Sequence, residues 1–356
     1  MNSEIERIQT LSTLFGPSGM EDQVSAYAIE QTKSFCDAKT DSMRNTILTP
    51  RSQKDHDTTI LLDAHSDEVG FIIQAIKPNG TLRFLPLGGW DPKNVIGSQV
   101  WIQNTEGVLI DGIVASQPVH FLSASQKSNA IDFDQLVIDI GACSQEEVQN
   151  DYKIEIGAFA CPAITCSYHE KQQIFMGKAF DCRIGCAALL ETLSILQTKE
   201  LDHSIIGLLS SQEEVGERGA SLAIHQIQPD LAICFEGCPA DDTFEASYMI
   251  QSGLKRGPML RHFDRSMITN PRYMSYCIQL AKEKNIPIQT SVRKGGGTNG
   301  GIYHCANQGI PTIIIGIPVR FAHAPCGICS YQDYKNAVSL AVSIIENISK
   351  ETIQSF

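Results

Sequence analysis

Long apolar runs and clusters of basic residues are both missing from this sequence. No apolar stretch reaches the roughly 18 residues that a membrane-spanning helix needs, and the N-terminus lacks the basic start and apolar core of a signal peptide. Lysine and arginine number 28 against 40 aspartates and glutamates, which gives a net charge of -12, whereas nucleic-acid binding requires a basic face. We therefore expect a cytoplasmic protein that acts on small soluble substrates and binds neither nucleic acid nor membrane.

Paired cysteine motifs of the kind that hold structural zinc are missing too. The chain has 12 cysteines, and three pairs of them lie within four residues of each other. No pair has a second pair at zinc-ribbon spacing. Cytosolic thiols stay reduced, so we expect these side chains to behave as small apolar residues.

The pattern of apolar residues predicts a parallel sheet with helices on its faces. The 356 residues are enough for one large α/β domain and a smaller one. The predicted strands cover residues 58–62, 204–209, 231–235 and 311–315, and the predicted helices cover 3–14, 20–35, 184–197, 218–227, 271–284 and 333–348. Ser18 and Glu21 form an S-x-x-E pattern, which predicts a capping box at the start of the second helix.

Residues 71–166 differ from the rest because they contain strand-like runs and no convincing helix. Turn signals such as Pro78-Asn79-Gly80 separate these runs. This pattern predicts a small β-barrel inserted into the α/β domain. We therefore expect an α/β fold in which residues 1–71 and 166–356 form a mixed sheet sandwiched by helices, with the inserted barrel at residues 72–165.

Candidate metal ligands follow the predicted strands or precede a helix. They are His65, Glu213, Glu214, Glu236 and His323 after strands, and Asp181 before a helix. Ligands of open α/β sheets bind outside the carboxyl ends of the strands, so these side chains are expected to converge. Oxygen and imidazole ligands suit zinc, manganese or cobalt.

The same residues divide into two possible metal sites. Asp181 is the best candidate to bridge two divalent ions, because one carboxylate offers two oxygens. His65 and Glu236 would complete one site. Glu214 and His323 would complete the other.

Two further acids are expected to support the metal chemistry. Asp67 lies two residues after His65 and is predicted to accept its ring N–H, which fixes the tautomer; capping of a turn is the alternative. Glu213 is expected to remove a proton from the attacking water while Glu214 binds metal. An acidic helix start that interacts with the helix dipole is the alternative for both glutamates.

Short motifs surround most of these residues. They are AHSDEVG at 64–70, FDCRIG at 180–185, SQEEVG at 211–216, GGGTN at 295–299 and PVRFAH at 318–323. In sequence and in order along the chain, these motifs resemble those of the glutamyl aminopeptidase and tetrahedral aminopeptidase family. The resemblance implies a dinuclear site with Asp181 as the bridge and Glu213 as the general base, in agreement with the grouping above.

The resemblance also implies properties that the residues alone do not indicate. It implies metal-dependent removal of N-terminal residues from short peptides, with zinc or cobalt as the expected ions. It further implies that the inserted barrel mediates dimerisation and assembly, and that dimers build a hollow homo-dodecamer.

Two residues depart from the pattern of that family. Glu236 stands where the family usually has aspartate, and Asn299 follows Thr298 where Thr-Asp is expected. In related dinuclear peptidases, glutamate at this ligand position accompanies carboxypeptidase or deacylase action. The sequence therefore leaves open an N-acyl amino acid deacylase or a carboxypeptidase-type hydrolase with the same metal site.

Functions of other classes account for fewer of these residues. A glycosidase needs two carboxylates that flank a sugar bond, but Glu213 and Glu214 are neighbours in one loop. A non-catalytic assembly subunit would be favoured if Glu213 or a ligand were missing, and none is. The glycine-rich loop lacks the Gly-Lys-Ser/Thr order of a phosphate-binding loop, so its glycines are expected to bring the backbone close to substrate or metal.

Overall fold

The computed structural model describes residues 3–52, 56–121 and 130–356. The helices of these ranges are α1 (Ser3–Thr13), α2 (Asp22–Thr32), α3 (Pro92–Val95), α4 (Gln145–Asn150), α5 (Phe180–Leu196), α6 (Arg218–Ile227), α7 (Pro271–Glu283), α8 (Gly300–His304), α9 (Tyr331–Asn347) and α10 (Lys350–Gln354). None of them is long and apolar enough to cross a membrane.

The strands of the same ranges build one large sheet and one barrel. They are β1 (Cys36–Thr40), β2 (Thr46–Pro50), β3 (Thr59–His65), β4 (Gly70–Ile76), β5 (Leu82–Leu87), β6 (Gln99–Gln103), β7 (Leu109–Ala115), β8 (Val137–Asp139), β9 (Phe159–Pro162), β10 (Ser167–His169), β11 (Ile174–Gly177), β12 (Ser204–Ser210), β13 (Leu231–Pro239), β14 (Met259–Phe263), β15 (Gln289–Val292), β16 (Thr312–Arg320) and β17 (Gly327–Ser330).

The large sheet has a parallel centre covered on both faces. Its 11 strands follow the order β1-β2-β12-β3-β13-β16-β17-β11-β10, with β14 and β15 attached through β16. The neighbours β12, β3, β13 and β16 are parallel, and strands buried on both faces read as continuous apolar runs. On β3, Ile60 and Leu62 pack in the cluster of α1, α5 and α9, whereas Leu61 packs with α6 and α8. The predicted α/β class with a mixed sheet between helices is confirmed.

The barrel closes in the order β4-β5-β8-β7-β6-β9 and has a hydrophobic core of its own. Phe71 lies in that core and stacks on Trp90 at 5.1 Å between ring centroids. The expectation that this region contains no helix is wrong. Ser144 caps α4 by accepting from the Glu147 N–H, and Asp91 caps α3 by accepting from the Lys93 N–H. The limits of the two domains as separate folding units stay a prediction.

The predicted capping box before α2 is also wrong. Glu21 occupies the N-cap position but makes no capping bond with its side chain. Its carboxylate accepts the Gly19 N–H at 2.7 Å, and the Ser18 hydroxyl donates to Asp67 at 2.6 Å. Long-range partners at the site described below have replaced the local pair.

The start of α5 differs from a regular helix in a way that positions Asp181. The helix begins at Phe180, four residues before the start predicted from its apolar stripe. Asp181 and Cys182 have non-helical backbone angles, and the peptide between them is cis. The Asp181 carboxylate lies 3.2 Å from the Nε2 atom of His65, which ends β3.

Candidate metal centre

His65, Asp181 and Glu236 form one cluster at the carboxyl ends of neighbouring strands. His65 is the last residue of β3, and Asp181 is the second residue of α5. Glu236 lies within β13 near its carboxyl end, because this strand continues to Pro239, beyond the end predicted at residue 235. The His65 Nε2 atom is 3.2 Å from Asp181 Oδ1 and 3.6 Å from Glu236 Oε2. The Cys182 sulfur belongs to the same group, in which one ligand atom of each residue lies within 4.8 Å of the others. Cys182 was expected to behave as a small apolar residue, and its place beside the candidate ligands has no signal in the sequence.

Asp181, Glu214 and His323 form the adjoining cluster. The His323 Nε2 atom is 3.3 Å from Asp181 Oδ2 and 3.4 Å from Glu214 Oε1. Asp181 thus presents a different oxygen to each imidazole. This is the arrangement that a carboxylate bridging two cations would require.

The chemistry of both clusters suits a divalent cation. Nitrogen and oxygen ligands lie about 2.0–2.2 Å from zinc, so ligands of one ion are separated by roughly 3–3.6 Å. The distances above fall in that range. Glu214 Oε1 is buried and has no hydrogen-bond partner in the described residues, and a buried anionic oxygen without a partner is costly. A cation between these side chains would remove that cost.

Charge within the clusters sets the protonation of the imidazoles. Burial disfavours the charged form of His65 and His323, but the surrounding carboxylates outweigh it and raise the pKa of both residues well above the usual value. Without a cation, protons on these rings balance the acids. Metal ligation needs neutral imidazole, so metal binding would displace these protons.

Glu213 lies beside the first cluster, with Oε2 4.0 Å from His65 Nε2. Burial raises its pKa strongly, and the nearby carboxylates of Glu236 and Glu214 add to the effect. A carboxylate in such surroundings has an increased affinity for a proton.

Asp67 contacts His65, but its main partners lie elsewhere. The Asp67 Oδ1 to His65 Nδ1 distance is 3.3 Å without regular hydrogen-bond geometry. Asp67 accepts the N–H groups of Glu213 at 2.9 Å and Glu214 at 3.2 Å, and the Ser18 hydroxyl. Burial would raise the pKa of Asp67, but the interactions with His65, Ser18 and the Glu213 N–H hold it below its usual value. Asp67 therefore fixes the loop that carries both glutamates.

Glu21 supports the same loop from the other side. Its Oε1 accepts the Gln212 N–H at 3.2 Å. Burial and the nearby Asp67 raise the pKa of Glu21 to about 7. The S-x-x-E spacing predicted a helix cap at Glu21, whereas the Glu21 carboxylate accepts from the backbone of Gln212 instead.

The barrel holds the second imidazole through a backbone carbonyl. The Nδ1 atom of His323 is 2.7 Å from Gly89 O, in the loop after β5. A carbonyl only accepts, so Nδ1 carries a hydrogen, and once the ring is neutral its Nε2 lone pair faces the cluster and is free to bind a cation. Gly88, with φ at +84°, packs against Glu214 and Val69. No sequence motif marks this contact, because a carbonyl is present at every residue.

Three buried charged residues hold the loop that follows His65 at the end of β3. Lys178 donates to Glu68 Oε1, and Arg183 Nη2 is 3.5 Å from the same oxygen. The Arg183 guanidinium also donates to the backbone carbonyl of Ser66 at 2.7 Å. The loop after β3 is thereby tied to the start of α5, which carries Asp181.

A cleft of about 760 Å³ opens over the two clusters. Its walls include the glycine-rich loop, Glu217 and Arg261. Arg261 is paired with Asp264 at 2.8 Å. No sequence pattern indicates that Glu217, whose φ is +54°, lines this cleft.

The comparisons with known proteins agree with this architecture. The sequence profile of the M42 glutamyl aminopeptidase family matches residues 45–340. The solved structure of the TET aminopeptidase from the marine sediment archaeon Thaumarchaeota archaeon SCGC AB-539-E09 is similar with a TM-score of 0.95, at 33% identity over 99% of each chain. The glutamyl aminopeptidase of Lactococcus lactis subsp. cremoris (strain MG1363) is 29% identical over 98% of this chain and 97% of its own.

A third similar protein is known as an assembly. The TET1 peptidase of Pyrococcus horikoshii, which can assemble into a tetrahedron or a large octahedral shell, has a TM-score of 0.86 at 28% identity, over 97% of this chain and 100% of its own. The family resemblance inferred from the motifs is confirmed. The chain belongs to the M42 glutamyl aminopeptidase family and is a peptide hydrolase of the aminopeptidase class.

Proposed function

We propose that this protein removes N-terminal residues from short peptides by hydrolysis that depends on two divalent cations, with zinc or cobalt preferred and manganese as a further option. The observation that carries the proposal is the placement of Asp181, whose two oxygens face His65 and His323 separately. His65 and Glu236 would hold one ion together with Asp181. Glu214 and His323 would hold the other.

The ions would supply Lewis acidity, which polarises the scissile carbonyl and lowers the pKa of water. The protein residues then handle the protons. Burial and the neighbouring carboxylates raise the pKa of Glu213 and thus its affinity for a proton. A general base of this kind accepts a proton from the attacking water and then returns it to the leaving amine. Asp67 accepts the backbone N–H of Glu213 and thereby fixes the base in position.

We also propose a homo-oligomer, built from dimers up to a dodecamer, with the barrel carrying the dimer contacts. The TET1 peptidase of Pyrococcus horikoshii assembles into closed shells, and that similarity extends over nearly the whole chain. Sedimentation velocity of the purified protein tests this assembly; a monomer at all concentrations would rule it out.

The metal requirement is tested by depletion and reconstitution. Chelator-treated protein is expected to hydrolyse a leucine-terminated or glutamate-terminated peptide only after divalent metal is restored, with two ions bound per chain by elemental analysis. Full activity without metal would overturn the dinuclear proposal.

Glu213 and Glu214 form a matched pair of variants, because the same change is made in adjacent identical residues. Glu213→Gln keeps shape but cannot take a proton, so the rate is expected to fall by about 10²–10⁴-fold at unchanged metal content. Glu214→Gln is expected to bind one ion more weakly and to regain activity in excess metal. If Glu213→Gln is the variant that loses metal, the two roles are reversed.

Glu236 is the observation that favours a second candidate function. It lies 3.6 Å from His65 where the family usually has aspartate, so a deacylase or carboxypeptidase is tested beside the aminopeptidase. Peptides with a free amine, an acylated amine and a blocked carboxyl terminus separate the three. Cleavage of acylated substrates but not of free-amine peptides would assign the deacylase, and cleavage that is lost when the carboxyl terminus is blocked would assign the carboxypeptidase.

A further inference from the structure

A buried polar pair lies behind the cleft, between the glycine-rich loop and β3. Asp63 and Asn299 are 1% and 0% exposed. The Asn299 Nδ2 atom donates to Asp63 Oδ2 at 2.9 Å and to the Ser210 hydroxyl oxygen at 2.8 Å. Neither residue belongs to the metal clusters or to the walls of the cleft.

Asn299 thus joins three elements that meet at the site. Asp63 lies on β3 two residues before His65, and Ser210 ends β12 opposite His65 in the strand register. Asn299 itself follows directly on Lys294 to Thr298, which form one wall of the cleft. A single amide group therefore connects this wall to the strand ends that carry the candidate ligands.

We infer that Asn299 is a positioning residue, which holds the glycine-rich wall in place for substrate binding, and that Asn299 and Asp63 act as a matched donor and acceptor. The role in substrate binding rests on the proposed peptidase function, whereas the pairing of Asn299 with Asp63 does not. It also accounts for the departure from Thr-Asp at this position. With Asp63 on β3, an aspartate at 299 would set two buried carboxylates against each other and remove the amide donor that Asp63 now accepts from.

The pairing is tested by exchanging the two roles. Asn299→Asp removes the donor. Asp63→Asn keeps an amide oxygen that can still accept from Asn299, so it is the milder change. In the double variant the amide of residue 63 donates to the new carboxylate, which restores the match. Asn336→Asp is the control, because it makes the same change at a half-buried position of α9, where the Asn336 side chain accepts from Gln332 at 3.1 Å and an aspartate can accept the same bond.

Melting temperature, metal content and steady-state kinetics are measured for all four proteins and the wild type. Asn299→Asp is expected to melt several degrees lower and to raise KM by up to about a hundredfold, with a smaller change in kcat and unchanged metal content. The double variant is expected to recover most of both losses. The control is expected to match the wild type.

Additive losses in the double variant would overturn the matched pair. A destabilised Asn299→Asp protein with wild-type KM would overturn the positioning role. A wild-type protein that cleaves no peptide would overturn the proposed function, and the recovery of melting temperature would still decide the pair independently.

Discussion

Removing the anion of the buried charge cluster is expected to destabilise the protein severely. Glu68 is 1% exposed and is shared by Lys178 and Arg183, both 1% exposed. Glu68→Gln preserves the shape of the side chain but leaves two buried cations without a counter-charge. Loss of one partner from a buried ion pair costs about 3–5 kcal/mol, which corresponds to a fall of roughly 4–7 °C in melting temperature for a chain of this size.

Thermal unfolding of metal-stripped protein measures this effect without the contribution of metal binding. Glu170→Gln is the matched control, because Glu170 is exposed in the turn between β10 and β11. The double variant Glu68→Gln/Lys178→Met restores the net charge of the cluster by removing one of the two cations, and the guanidinium of Arg183 still donates to the carbonyls of Leu11 and Gly16. It is expected to melt above the single variant. A Glu68→Gln protein that melts with the control would refute the reasoning.

Three further changes test other parts of the structure. Because the pKa of Glu21 is raised from 4.5 to about 7, the folded state of the metal-stripped protein loses stability as pH rises through this window. Glu21→Gln is therefore expected to have a free energy of unfolding about 3 kcal/mol above that of the wild type at pH 8. Near pH 4 the two proteins are expected to be equally stable in melting experiments. A difference in stability that does not change with pH would contradict this. In Gly89→Ala, a Cβ atom would lie 3.2 Å from Nδ1 of His323 and would disturb the orientation of the imidazole. The affinity for one ion is therefore expected to fall about 10–100-fold in chelator competition. Unchanged affinity for both ions would show that the loop does not orient His323. A chain that lacks residues 72–165 is expected to lose the large assembly, and sedimentation as a dodecamer would place the contacts elsewhere.

Much of the candidate site could be predicted because its side chains follow a rule of topology. The parallel strands β3, β13 and β16 end at the same edge of the sheet. Any acid or histidine just beyond such an edge is brought near the others. His65 at the end of β3 and Glu236 near the end of β13 were therefore within reach of sequence reasoning, although they lie far apart in the sequence.

The missed features depend on contacts that no local pattern encodes. Ser18 and Glu21 match a capping motif, but the carboxylate of Asp67 and the backbone of Gln212 bind them instead. The Gly89 carbonyl has no residue-specific signal. Asn299 was visible as a departure from the family, but its partner Asp63 became apparent only from the hydrogen bond between the residue before α8 and β3.

The contact between Gly89 and His323 limits how this protein can be recombined with its relatives. A chimera that exchanges the whole barrel at its two chain crossings keeps the large sheet intact. It also replaces the loop whose carbonyl orients an imidazole of the other domain. Barrels from relatives are therefore interchangeable only if the graft retains residues 88–90 or supplies an equivalent carbonyl at the same point.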